Sequence, residues 1–354
     1  MRTNPIIKIP KHQLPQDVRE ISEILDLYFR SKLAIVKQNS DDWEIMLQWP
    51  DSFEYYVDPK LKEGLLWWHG NTPPVKIPFL RKGDEFYQEA LNDNWSLYAW
   101  SLWLKKRQLH NALPREVVII HVDDHRDMMS PLLRLQSQQL IDPINQLHMN
   151  LLSPSSVENA ILSGAIGIGD FITAFLHHMD RVYIKHLDFR KIPTPIEEKK
   201  IFLDTYEDDF WAKGKRLQTR LLPFDCKENS TTMIEKGVYE KHHNIEELLS
   251  SIPNIPVLLH VDMDAFNNRY NACSDWNKNS TSHDLNQTEV IEKIDELFAQ
   301  LIEFQVIQKI ENIALCLSPG FFPGEYWRES LLHFRHKLTT YRNQFLSIKL
   351  KNFM

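Results

Sequence analysis

Residues 117–127 read VVIIHVDDHRD, and the fold is organised around this stretch. Its first six residues are mostly β-branched and apolar, which is typical of a buried strand. The strand ends directly in three aspartates and a histidine. Because side chains alternate along an extended chain, Asp123, His125 and Asp127 are expected on one side, with Asp124 and Arg126 on the other. Three side chains that commonly bind metals should therefore converge where the strand ends.

A second strand ends in the same way. Residues 257–264 read VLLHVDMD, so that Asp262 and Asp264 follow an apolar run with one residue between them. In an open α/β sheet, ligands bind at the carboxyl ends of neighbouring parallel strands. An Asp-rich strand end is also typical of a turn or a helix cap. Two such ends favour a shared metal site over two unrelated turns.

The side chains at these strand ends indicate which metal they would bind. Clustered carboxylates in an apolar pocket repel one another, and a buried charge is unfavourable unless it is paired. Oxygen-rich ligation with little imidazole and no thiolate favours Mn²⁺ ahead of Zn²⁺. An excess of carboxylates suits a bridged pair of ions. The sequence therefore predicts a binuclear centre that holds two Mn²⁺ ions.

Both motifs resemble signatures of a known enzyme family. Residues 123–127, DDHRD, resemble the Asp-Ala-His-x-Asp signature of the arginase-like ureohydrolases, and residues 260–267, HVDMDAFN, resemble their Ser-x-Asp-x-Asp-x-x-Asp signature. The resemblance covers roughly residues 85–330, although the Gly-Gly-Asp-His segment of arginases is absent. It implies an α/β fold of three layers, with a mostly parallel sheet flanked by helices. It also implies metal binding by the motif residues Asp123, His125, Asp127, Asp262 and Asp264.

The chain is most similar to a divergent branch of this family, the peptide arginases, which convert arginine residues of ribosomally made peptides to ornithine. That branch has an Asp-His-x-Glu-Ala-Leu-like segment on a helix before the first metal strand. The counterpart here, residues 93–100, reads DNWSLYAW, with Asn94 in the place of the histidine. The resemblance implies that Asn94 is a sixth ligand, although an amide oxygen binds a hard cation weakly. A backbone group is the alternative partner of this amide.

Three further residues match the family by position. His148 lies where arginases carry a proton-shuttling histidine, and the alternative is a solvated loop residue. Asp170 either caps the following helix or faces the guanidinium of the substrate. Glu325 corresponds to a glutamate that grips the guanidinium, or it is a surface residue. The resemblance thus implies catalytic roles for Asp127, His148 and Glu325, with Asp127 as proton acceptor, and substrate binding by Asp170 and Glu325.

Composition and charge limit the class of protein. The chain has 354 residues, of which 43% are hydrophobic, and this is enough for a globular core. Its 41 basic and 48 acidic residues give a net charge of −7, so nucleic acid and anionic membranes are poor partners and a cationic substrate fits better. The three scattered cysteines are interpreted as reduced core thiols. No segment approaches the length of a membrane span, which predicts a cytoplasmic protein.

The pattern along the chain predicts its organisation. Residues 1–83 mix a helix with short strands and are expected to form an N-terminal extension packed on a catalytic domain of residues 84–354. Helical periodicity is strong from Asp84 to Gln108. A later helix is expected to begin after Asn286, with Glu289 completing a capping box. The charged residues 189–250 predict exposed secondary structure with loops.

The expected function is hydrolysis of the guanidinium group of an arginine residue in a precursor peptide, giving ornithine and urea. A guanidinium is a poor electrophile, so water must be activated and held in line, which paired cations can do. Two alternatives stay open. One is a ureohydrolase or amidohydrolase that acts on a free small molecule, and the other is a non-catalytic interaction protein that retains the fold. The sequence is also compatible with an oligomer.

Overall fold

The computed structural model describes residues 6–39, 41–191, 195–226, 232–278 and 283–352. Within these residues the strands form a small sheet near the N-terminus and a large central sheet. The small sheet is antiparallel, in the order β1-β3-β2, and consists of β1 (Ile6–Pro10), β2 (Leu33–Gln38) and β3 (Asp42–Gln48). Helix α1 (Val18–Phe29) packs its buried face on this sheet.

The central sheet has a parallel half and an antiparallel half. Its strands are β4 (Arg81–Gly83), β5 (Tyr87–Ala90), β6 (Glu116–Val122), β7 (Arg134–Gln136), β8 (Gln139–Ile141), β9 (His148–Met149), β10 (Arg181–Leu187), β11 (Glu197–Asp208), β12 (Gly214–Leu222), β13 (Ile234–His242), β14 (Val257–Asp262) and β15 (Ile310–Cys316). The parallel half has the order β5-β15-β14-β6-β10-β13. From β13 the sheet continues antiparallel through β11, β12, β7, β8 and β9, and β4 pairs antiparallel with β5.

Helices cover both faces of the parallel half. They are α2 (Leu61–His69), α3 (Trp95–Leu109), α4 (Pro154–Ser163), α5 (Phe171–His178), α6 (Ile245–Leu249), α7 (Gln287–Glu303) and α8 (Trp327–Asn352). Val118, Ile120 and Val122 of β6 pack with α2, α6, α7 and α8. Val117 and Ile119 pack with α3, α4 and α5. Both faces of β6 are therefore buried, which explains its unbroken apolar run. The prediction of an α/β protein with a large helix-flanked sheet is confirmed.

Two segments differ from their predictions in detail. Residues 189–250 contribute β11, β12, β13 and α6, so the expected secondary structure is present, and β11 and β12 make this end of the sheet antiparallel. Most positions of β11 are buried or half-buried, and buried and half-buried positions alternate in β13 from Lys236 onward, so this segment is less exposed than expected. The helix expected from Asp84 begins only at Trp95, since Tyr87–Ala90 form β5 and pair with β15. In contrast, the capping box of Asn286 and Glu289 at the start of α7 is confirmed.

The strand order places a crevice between β6 and β14. After β6 the chain adds β10 and then β13 on one side, and it returns to the other side of β6 with β14. Ligands of open α/β sheets bind at such a switch point, beyond the carboxyl ends of the strands. Val122 of β6 pairs with Val261 of β14, so the aspartates that follow leave the sheet side by side. The predicted adjacency of the two strands is confirmed.

The chain before Gly83 has two structural parts. The small sheet and α1 enclose their own core, which also contains Leu132, Ile144 and Ala212 from the central body. Residues 53–83 belong to the central body, because α2 packs on α8 and β4 pairs with β5.

Two expectations drawn from the composition concern the cysteines and membrane-spanning segments. Cys316 is buried, whereas Cys226 and Cys273 are exposed, so the expectation of core thiols is wrong for the latter two. Among the described helices, none combines the length and the apolar character needed to cross a lipid bilayer.

Gly237 on β13 should be critical for the parallel half. Its φ is +140°, and a Cβ atom there would lie 1.9 Å from the carbonyl oxygen of Val182 on β10. We expect Gly237→Ala to lower the free energy of unfolding by about 3 to 5 kcal/mol, because backbone strain and overpacking add. Urea unfolding would measure the loss. The control Gly70→Ala has a φ of +82° but meets no atom within 4 Å, so it should lose only the strain, about 1 to 3 kcal/mol. Equal losses would contradict the prediction.

Candidate metal centre

Carboxylates from three strand ends meet at the crevice. They follow β5, β6 and β14, and all are buried: Asp93, Asp123, Asp127, Asp262 and Asp264. One atom each of Asp123, His125 and Asp264 lie within 4.8 Å of one another, and the same is true of Asp93, Asp123 and Asp127. The two groups share Asp123. This arrangement can hold metal ions, and a shared carboxylate suits two neighbouring ions.

The chain after β6 bends instead of staying extended. Residues 123–125 form a bend, and Asp127 has a φ of +51°. The amide of His125 donates to Asp123 Oδ1 at 2.6 Å, and the amide of Asp124 donates to Asp264 Oδ1 at 3.1 Å. A positive φ at a residue other than glycine costs about 1 to 3 kcal/mol and often occurs at functional sites. The bend, and not the alternation of a strand, therefore brings Asp123, His125 and Asp127 together.

The two intervening side chains leave the cluster, as predicted. Arg190 donates through Nε and Nη2 to the two oxygens of Asp124 at 2.5 Å, and Asn268 Nδ2 donates to Asp124 Oδ2 at 2.8 Å. Burial raises the pKa of Asp124, but these donors bring it below its usual value. Arg126 pairs with Glu197. Asp124 thus anchors the bend to two other segments of the chain.

The clustered carboxylates are electrostatically unfavourable without a cation. Burial, followed by the neighbouring carboxylates, raises the pKa of Asp93, Asp123, Asp127 and Asp262 well above the usual value. Asp93 Oδ1, Asp123 Oδ2 and Asp127 Oδ2 are buried and have no hydrogen-bond donor among the described residues. Buried acceptors of this kind are costly unless a donor or a cation meets them. Carboxylate and imidazole donors fit a hard or borderline divalent cation.

His125 is the partly exposed member of the cluster. Its Nδ1 lies 3.0 Å from Asp264 Oδ2. Burial lowers the pKa of His125, but Asp264 and then Asp127 outweigh this effect and raise it to about 10. Without a metal the ring is therefore protonated and serves as the local cation. A bound metal would displace this proton, which makes metal binding dependent on pH.

Sequence reasoning missed a row of histidines beneath the cluster. Three neighbouring strands end in His-x-Asp, and the histidines are His121, His186 and His260. The parallel register places His121 opposite both of the others. His121 and His260 also form a group with Asp123 in which one atom of each lies within 4.8 Å. The repeated His-x-Asp pattern is the signal that could have revealed the row.

Hydrogen bonds indicate how these rings act. Burial lowers the pKa of all three, that of His121 to about 3, so the rings are neutral. Tyr239 OH donates to His186 Nδ1 at 2.6 Å, and His186 Nε2 donates to the Asp123 carbonyl at 2.9 Å. His121 Nε2 donates to the His125 carbonyl at 3.0 Å, and its Nδ1 accepts from His260 Nδ1 at 2.9 Å. The row thus holds the backbone that carries the candidate ligands.

Asp93, which directly precedes the predicted ligand Asn94, also joins the cluster. Asn94 Nδ2 donates to the carbonyl of Ile166 at 3.1 Å, and its Oδ1 has no donor among the described residues. The carboxylate of Asp93 is the group that lies with Asp123 and Asp127. Asp93 was missed because a helix starting at Asp84 would not place it at a strand end. In the structure it follows β5, whose carboxyl end faces the same crevice.

A cavity of about 950 Å³ opens above the cluster. Its buried acidic floor consists of Asp93, Asp127, Asp262 and Asp264, and its basic rim consists of Arg30, Arg126 and Lys199. Aromatic side chains between floor and rim supply apolar walls, and they are Trp49, Tyr55, Tyr56 and Phe321. The volume is near the upper end of the range for small-molecule sites, so a ligand larger than one amino acid fits.

The three residues matched by position do not line this cavity. His148 is exposed on β9, at the far edge of the central sheet. Glu325 accepts from Arg269 Nη1 at 2.6 Å. Asp170 accepts from the amide of Gly167 at 3.0 Å and makes no capping bond to α5, and burial raises its pKa to about 8. The structure therefore brings together the motif residues and leaves these three apart.

Comparison with known proteins finds no protein family and no curated protein that matches this chain. The chemistry of the site therefore has to indicate the class of protein.

Mn²⁺ should stabilise the fold, and increasingly so as the pH rises. At about 100 times its Kd, one bound ion adds about 2.7 kcal/mol to the free energy of unfolding. Between about pH 7 and 9 the metal-free fold still holds the proton on His125, whose pKa is about 10, whereas the unfolded chain has lost it. The stability of the metal-free fold therefore falls as the pH rises, whereas the metal-bound fold has already released this proton. Thermal unfolding with Mn²⁺ and with chelator between about pH 7 and 9 tests this. If the difference between the unfolding midpoints with Mn²⁺ and with chelator becomes smaller as the pH rises, the prediction is contradicted.

Asp123→Asn should separate metal binding from folding. It removes the carboxylate that both groups share, so the Mn²⁺-induced rise in the unfolding midpoint should disappear and the metal content should fall. The metal-free midpoint should stay constant or rise, because like-charge repulsion is relieved. Asp180→Asn is the control, since Asp180 is exposed and lies 3.8 Å from Arg115. Full metal stabilisation in Asp123→Asn would show that this carboxylate is no ligand.

Proposed function

We propose that the protein is a metal-dependent hydrolase that converts an arginine residue of a peptide to ornithine and releases urea. The observation that carries this proposal is the group of buried carboxylates with unpaired oxygens at the floor of a large cavity. Such a floor binds divalent cations and attracts a cationic substrate group. The resemblance of residues 123–127 and 260–267 to ureohydrolase signatures selects a guanidinium as that group.

The donor set supports two Mn²⁺ ions as the cofactor. Asp264 and His125 would hold one ion, Asp93 and Asp127 the other, and Asp123 would contact both. When bound, such ions lower the pKa of water and stabilise the negative charge that develops during hydrolysis. Among the described residues, the groups that could hold a metal contain carboxylates and imidazoles and no thiol, which favours Mn²⁺ over softer ions.

The residues of the chain supply proton transfer and orientation. We assign the acceptance of a proton to Asp127, whose buried Oδ2 has no donor among the described residues and which lines the cavity. A carboxylate at this position can take up the proton that the attacking water releases. Water adds to the guanidino carbon, the bond from that carbon to the side-chain nitrogen breaks, and a proton passes to the leaving nitrogen. The products are a primary amine and urea.

The shape of the cavity favours a peptide over a free amino acid. Its volume of about 950 Å³ leaves room beside the arginine side chain. Trp49, Tyr55 and Tyr56 come from the N-terminal 83 residues, and Phe321 follows β15. Their rings offer apolar surfaces to the residues that flank the target arginine.

The test is an assay of the Mn²⁺-loaded protein with a peptide that contains one arginine and, separately, with free arginine. Mass spectrometry should detect ornithine in the peptide, with an equal amount of urea. Asp264→Asn should reduce the rate at least about 100-fold, and Asp180→Asn should leave it unchanged. Turnover of free arginine alone would contradict a peptide substrate. Bound metal without urea from either substrate would contradict a hydrolase and favour a non-catalytic interaction protein.

A further inference from the structure

The cavity is charged oppositely at its two ends. Its acidic floor lies beneath the basic rim of Arg30, Arg126 and Lys199. The whole chain has a net charge of −7, so a group of cations around one opening runs against the overall charge. A ligand that matches both ends carries a cationic group and, at a short distance, an anionic one.

The rim is only partly neutralised by the described residues. Glu197 pairs with Arg126 and also, at 2.5 Å, with Lys199, so one carboxylate serves two cations. Arg30 Nε donates to the carbonyl of Leu27 at 3.2 Å, and among the described residues Arg30 forms no ion pair with a carboxylate. The charge of Arg30 lowers the pKa of Asp170, but burial outweighs this effect and raises that pKa to about 8, so Asp170 is largely protonated at neutral pH. Positive charge therefore remains available at the opening.

The backbone directs the rim toward the floor. In the β11 and β12 hairpin, Thr219 pairs with Leu203, and Leu221 pairs with Ile201, so Lys199 shares one face with them. Lys199, Thr219 and Leu221 line the cavity, and Lys200 lies on the opposite face. Arg126 lies next to Lys199, because Glu197 pairs with both, and it stands between His125 and Asp127 in sequence. Its guanidinium is therefore within one side-chain length of the floor.

We propose that the basic rim binds a carboxylate of the substrate that lies next to the arginine entering the floor. This inference rests on the proposed function, because it takes the substrate to be a peptide. The carboxylate comes either from an acidic side chain beside the arginine or from a C-terminal arginine itself. The rim would orient such a peptide and repel peptides whose arginine is flanked by basic residues.

Three labelled heptapeptides serve as probes. One has a central arginine between two glutamates and an amidated C-terminus, the second replaces the glutamates with glutamines, and the third has glutamines and ends in arginine with a free carboxylate. Their affinities for the Mn²⁺-loaded protein are measured by stopped-flow fluorescence anisotropy, before turnover. A peptide carboxylate would pair with the partly exposed cations of the rim. We therefore expect each carboxylate peptide to bind roughly tenfold more tightly than the glutamine peptide. Raising the salt to about 0.5 M should remove most of this preference.

Two rim variants and a matched control decide the proposal. Lys199→Gln and Arg30→Gln should each reduce the preference to about threefold or less, whereas Lys200→Gln should retain it. Lys200 is on the same strand as Lys199 and pairs with Glu235 at 3.2 Å. Unchanged thermal midpoints would show that the variants fold. Equal affinity for the three peptides, or a preference that both rim variants retain, would overturn the proposal.

The binding measurement also separates this inference from the proposed function. A carboxylate preference that depends on the rim, without urea release from any peptide, supports the anion subsite and contradicts the hydrolase. Urea release from all three peptides with equal affinities supports the hydrolase and overturns the subsite. Whichever carboxylate peptide binds more tightly identifies the source of the anion.

Discussion

Repulsion among buried carboxylates is the constraint on which the rest of the structure depends. Five aspartates are buried around one crevice, and oxygens of three of them meet no donor among the described residues. The protein meets this cost by raised carboxyl pKa values and by a protonated His125 beside Asp264. A divalent cation that binds here would take the place of the protons on the carboxyl groups and on His125. The cluster therefore lowers the stability of the fold, as residues at functional sites often do.

Neutral hydrogen bonds beneath the cluster hold it in place. Tyr239 and His186 fix the carbonyl of Asp123, and His121 fixes the carbonyl of His125. His121 and His186 lie in parts of β6 and β10 that are buried on both faces, so a rigid sheet sets the positions of the candidate ligands. The strained bend that ends in Asp127 persists because its surroundings determine it from several sides.

The parts of the cavity come from different sections of the chain. The parallel half of the sheet supplies the acidic floor, which contains the clustered carboxylates. The wall and rim come from the N-terminal region, the antiparallel hairpin and the loop after β15. Function in many folds is divided in this way, with a rigid scaffold for the chemistry and peripheral segments for the choice of ligand. The β11 and β12 hairpin, which lies in the segment predicted to form exposed secondary structure with loops, therefore supplies part of the cavity wall.

The sequence by itself determined the two buried strands that end in aspartates and the capping box at Asn286. These features follow from local patterns of burial and from hydrogen bonds between near neighbours. Tertiary structure decided that Asp93 joins the cluster, that His121 and His260 lie beneath it, and that Glu325 pairs with Arg269. Each of these depends on contacts between residues far apart in the chain. Local periodicity cannot specify such contacts, because it records which face is buried and not what buries it.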